Sequence, residues 1–121
     1  MLSLIFAAVL VASPQPPLMY NFFDAPDLLG HCGARDDKAH VRQALCLGYV
    51  AGALDQLMME QAMLDPQERT ICPPPGLTLD AAVSHILDHA SWAARERDLG
   101  ASGLVRFALE QSYPCRRSVP M

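Results

Sequence analysis

The chain lacks most of what a catalyst or a nucleic-acid binder needs. Its 121 residues carry nine Lys and Arg against thirteen Asp and Glu, a net charge of −4. No basic stripe is present to neutralise phosphates, which argues against nucleic acid as a partner. There is no Gly-rich phosphate loop and no GxSxG motif. His85 and His89 stand four apart, a spacing able to ligate zinc, but residue 86 is Ile where an HExxH motif has Glu. The pair reads as rim histidines, and no metal or cofactor is expected. No segment reads as a convincing strand, and no apolar run reaches the roughly 20 residues that span a bilayer, so a stable membrane anchor is not expected.

What is present is aliphatic and helical. Half of the chain (51%) is hydrophobic, enough to build one small core. Residues 1–12, MLSLIFAAVLVA, form a short apolar run followed by SPQPP. The run resembles a secretory h-region, although no Lys or Arg precedes it and no lipoprotein cysteine follows it directly. Residues 1–17 are therefore read as a signal peptide and Pro-rich linker, and residues 18–121 as the domain. The competing reading is an N-terminal helix packed on that domain. Four cysteines, Cys32, Cys46, Cys72 and Cys115, suit an oxidising compartment such as a periplasm. They allow three pairings, and spacing alone does not choose between them.

The periodicity predicts four helices. Asp24 caps the first, with Pro26 in its first turn, Leu28 and Leu29 as buried residues, and Gly33 as the stop. The loop GARDDKAH leads to a second helix from Lys38 to Leu64, with Asp36-Asp37 read as solvated. This helix is apolar on nearly every side between Ala44 and Leu54, so it is expected to be surrounded by others. Its glycines, Gly48 and Gly52, share one face with Leu45, and each costs about 1 kcal/mol against Ala in a helix interior. Close approach of a neighbouring helix would offset that cost. Tyr49 reads as a core-edge tyrosine with a bonded hydroxyl, and Met58, Met59 and Met63 read as core filler, with an adaptable contact surface as the alternative.

ICPPPG is an extended, rigid connection, and Thr78 caps the third helix. Val83, Ile86, Leu87 and Ala90 form its apolar stripe. Arg95–Gly100 is a charged link to a fourth helix, Ala101–Ser112, which presents Leu104, Val105, Ala108 and Leu109 to the core before Pro114 ends it. The expected fold is a single all-α domain.

Leu28-Leu29 before Cys32, then CLGYVAGALD, ICPPPGLT and ALEQSYPC, occur in that order. Across residues 22–115 this resembles the Rap–Tai family of type VI secretion immunity proteins. The resemblance implies a small periplasmic helical protein that binds and neutralises a peptidoglycan-cleaving cysteine amidase delivered by neighbouring cells, and that forms a homodimer. Where the family commonly has His-Pro or Asn-Pro after the third helix, this chain has Ala93-Ala94 and continues as Arg95-Glu96-Arg97-Asp98, so that helix is expected to run further.

Topology and resemblance together favour the pairing Cys32–Cys46 and Cys72–Cys115. Cys32 ends one helix and folds back on the next, while Cys72 and Cys115 flank an antiparallel hairpin. With every cysteine bridged, no thiolate remains as a nucleophile, and an inhibitor is expected in place of an enzyme. The expected partner site is the mixed-charge cluster Arg95, Glu96, Arg97 and Asp98, which tunes association rate and specificity. The rival surface is the second helix around Asp55 to Met59. The alternative function is a periplasmic chaperone-like or structural helical protein without a toxin partner.

Overall fold

The structure, a computed structural model, describes residues 22–91 and 100–116. Among these residues lie four α-helices and a 3-10 turn, Pro66–Glu68. Helix α1, Ala25–Cys32, begins with a full capping box: the Asp24 carboxylate accepts from Asp27 N–H at 2.7 Å, and Asp27 accepts from Asp24 N–H at 3.1 Å. Gly33 closes it, its N–H donating to Leu29 and His31 carbonyls.

Helix α2, Ala39–Met63, is 25 residues long, flanked by Lys38 and Leu64 as the sequence predicts. Its start is organised by Asp36, which was expected only to be solvated. One Asp36 carboxylate oxygen accepts from Lys38 N–H at 3.1 Å, and the other accepts from Arg42 at 3.2 Å.

Helix α3, Leu79–Asp88, carries the Thr78 cap, whose Oγ1 accepts from Ala81 N–H at 3.1 Å. A turn at His89 interrupts it, so the longer third helix is not seen, although Ala90 and Ser91 are again helical. That turn also takes Ala90 off the apolar stripe: Ala90 is exposed, while Ala82 and Ile86 are fully buried. Ala93-Ala94 lies outside the described residues.

Helix α4, Gly100–Ser112, is the central post. Gly100 enters it at φ +70°, a left-handed conformation that glycine adopts without a Cβ penalty. Ala101, Leu104, Val105, Ala108 and Leu109 are all fully buried there, packed with Leu28, Val50 and Ile86. Each fully buried Leu, Val or Ile among them contributes roughly 1.5–3 kcal/mol.

Two disulfides staple the bundle, Cys32–Cys46 and Cys72–Cys115, with Cα–Cα distances of 5.0 and 4.9 Å. The first joins α1 to α2. The second ties the chain before α3 to the chain after α4, beside an isolated antiparallel bridge between Ile71 and Pro114. There Cys72 N–H donates to Tyr113 O at 2.8 Å.

Gln61, only 5% exposed, is the polar centre of this corner. Its Oε1 accepts from Thr70 N–H at 2.8 Å and from Ile71 N–H at 3.1 Å, and its Nε2 donates to Thr70 Oγ1 at 3.3 Å. Arg69 Nε donates to the Gln61 carbonyl at 3.0 Å, so one glutamine holds both sides of the turn after α2.

The surroundings of α2 differ from the sequence expectation. Only Cys46, Val50, Leu57 and Gln61 are buried along it. Nothing outside the helix would lie within 4 Å of a Cβ placed at Gly48 or Gly52. Among the described residues the glycine face is open, and no helix approaches it. Met58 packs against the core, but Met59 and Met63 are exposed, Met63 by 81%. Among the described residues no element covers that side of the helix, and apolar composition alone does not show which side faces inward.

Candidate functional site

All four cysteines are consumed by the two disulfides, so the cysteine positions are structural. Arg95, Glu96, Arg97 and Asp98 lie outside the described residues. The structure does describe the two ends between which they run. At the leaving end, His85 Nε2 and the Tyr113 hydroxyl are 2.8 Å apart, with the rings edge to face. His89 donates through Nδ1–H to the His85 carbonyl at 2.7 Å, and its ring meets Phe107 edge-on at 5.5 Å. These histidines fasten the end of α3 to α4. Among the described residues there is no cluster of three His, Cys, Asp or Glu able to hold a metal.

At the returning end, Ala101 N–H donates to Phe23 O at 3.0 Å. Phe23 in turn stacks at a tilt on Tyr49, with ring centroids 5.5 Å apart. Burial pushes the Tyr49 phenol pKa up, against a smaller opposing pull from its hydrogen bonds with Ser102. Tyr49 is therefore the bonded, core-edge tyrosine expected from the sequence. Both ends of the 92–99 segment thus leave from fixed supports.

Two further surfaces come from α2. On its outer face, Val41, Leu45, Met59 and Met63 are exposed apolar side chains, and the open glycines lie between them. Val41 is exposed by 66%. Their spacing follows the three-four alternation of a helix-pairing seam. Beside this seam lies a recess of about 380 Å³ between α2 and the start of α3. Ala51, Leu54 and Met58 line one side, with Pro73, Leu77 and Leu79 on the other, and Asp55 is its only charged lining residue.

Glu60, one turn further along α2, is paired with Arg106 of α4, and this contact holds its carboxyl below the usual carboxylate range. No helix among the described residues is long and apolar enough to cross a membrane.

Neither a curated protein nor a solved structure matches the chain. The family model for Rap1a immunity proteins matches residues 24–115, from the α1 cap to the second cysteine of the C-terminal disulfide. That match covers every helix among the described residues, and the chain belongs to the Rap1a immunity protein family.

Proposed function

We propose that the chain is a periplasmic immunity protein of type VI secretion that binds a peptidoglycan-cleaving amidase effector and blocks its active-site cleft. The observation that carries this reading is the family match across the entire folded unit. Binding of a cognate effector follows from the family. The amidase chemistry of that effector, the secretion route and the compartment are the proposal. Two disulfides favour an oxidising periplasm, with residues 1–17 acting as the removed export signal. The protein acts by occlusion and not by catalysis, since its four cysteines hold the frame together.

In this reading the segment carrying Arg95, Glu96, Arg97 and Asp98 enters the cleft. The described residues on either side of it, His89 and Ala101, are anchored to the bundle, which favours that role. A second copy of the chain covers the outer face of α2, making a homodimer through Val41, Leu45, Met59 and Met63, with the glycines allowing close approach. The alternative is a chaperone-like protein that uses the same exposed apolar face to hold unfolded chains.

The test is co-expression of the protein with its candidate amidase in a periplasm, scored as cell lysis. The native protein protects, and Arg95→Glu with Arg97→Glu weakens protection while circular dichroism stays helical. Equal protection by the charge-reversed protein would remove the loop assignment. Lysis in the presence of the native protein, with broad holdase activity, would replace immunity by the chaperone reading.

A further inference from the structure

The recess between α2 and the proline connection is a formed site, lined by none of the four disulfide cysteines. Its walls are rigid. Pro73 follows the disulfide-bonded Cys72, and a turn closed by Leu77 N–H to Pro74 O at 3.3 Å sets Leu77 in place. Gly76 stands in that turn at φ +83°. Leu79 opens α3 behind the Thr78 cap. On the opposite wall, Met58 supplies an unbranched, adaptable side chain.

Asp55 is the polar element. Glu60 on the same helix is engaged by Arg106, and Asp36 by Arg42, but among the described residues no cation pairs with Asp55. An unpaired carboxylate at the lip of an apolar recess selects for an apolar group with a positive charge beside it. Leu79, on the wall opposite α2, is 37% exposed.

We infer that this recess is a second contact with the effector, seating one apolar side chain of Leu, Met or Phe size whose neighbouring Lys or Arg pairs with Asp55. The inference rests on the immunity reading. It assigns affinity to a preformed pocket on α2, the arrangement in which a few anchored side chains carry most binding energy.

The experiment titrates the full-length mature protein with its candidate amidase effector, the effector's nucleophilic cysteine replaced by Ala. Ala51→Trp fills the recess, Asp55→Asn removes the charge, and Asp55→Lys reverses it. All three variants should keep the native circular dichroism spectrum. Ala51→Trp and Asp55→Lys are each expected to weaken binding by about tenfold or more, with Asp55→Asn weakening it less and flattening its salt dependence. Native affinity in all three variants would overturn the recess as a contact and leave the immunity reading standing. Loss of self-association in Ala51→Trp, with effector affinity intact, would assign the recess to a second copy and overturn the inference. If the native protein does not bind the effector at all, this inference falls together with the function on which it rests.

Discussion

Gln61 Oε1 accepts a hydrogen bond from the buried backbone N–H of Ile71 at 3.1 Å, across the turn that carries the chain from α2 to the Cys72 disulfide. The same oxygen serves Thr70 N–H, so a single carboxamide satisfies two donors that no helix or sheet supplies with partners. Replacing Gln61 with Leu leaves the Ile71 N–H dry. The expected loss is roughly 2–4 kcal/mol, the cost of unsatisfied buried groups, read as a lower urea midpoint with an unchanged slope.

A pH effect follows from Glu60. Its hydrogen bond with Arg106 holds the folded-state carboxyl pKa below the ordinary value. A depressed carboxylate stabilises the fold above the unfolded pKa, and that contribution disappears as pH falls through the folded value. Arg106→Met should therefore lower stability at neutral pH and shrink the difference from the native protein in acid. Added salt should also shrink the neutral-pH difference, because the pair is partly exposed. Thermal melts across an acid-to-neutral series, at two ionic strengths, read this directly.

The open glycines separate two contributions. In the isolated protomer, Gly48→Ala and Gly52→Ala meet no neighbour, so each should raise helix stability by up to about 1 kcal/mol. Under the homodimer proposal, a bulky residue on the same face should weaken self-association. Analytical ultracentrifugation is expected to show a dimer for the native protein and a shift toward monomer for Gly52→Gln. A native protein that sediments as a monomer would remove the homodimer and leave the face to other partners.

Much of the architecture was legible where local chemistry is strong. Asp24, Thr78 and Gly33 mark helix ends by hydrogen bonds that reach only a few residues, and the structure places all three as caps. The α4 stripe was equally readable, since Leu104, Val105, Ala108 and Leu109 share one face and all are fully buried. Cys32–Cys46 and Cys72–Cys115 followed from topology and family resemblance together.

What the sequence hid depends on tertiary placement. Gly48 and Gly52 share a face, but nothing local reveals whether that face meets another helix or open space. Met59 and Met63 read as core for the same reason. Gln61 gives no signal beyond a polar residue one turn after Leu57, because its partners lie nine and ten residues further along. The recess at Asp55 needs α2 and the proline connection brought together, and their contact is not local in the sequence.

The central claim is inhibition of an amidase by direct binding. It is tested most directly by measuring release of cleaved peptidoglycan peptides by the purified candidate amidase while the mature, oxidised protein is titrated in. The account predicts that activity falls linearly to zero at one protomer per enzyme, while the inhibitor remains uncleaved and both disulfides stay intact. Full amidase activity at a large molar excess of the folded protein would contradict it.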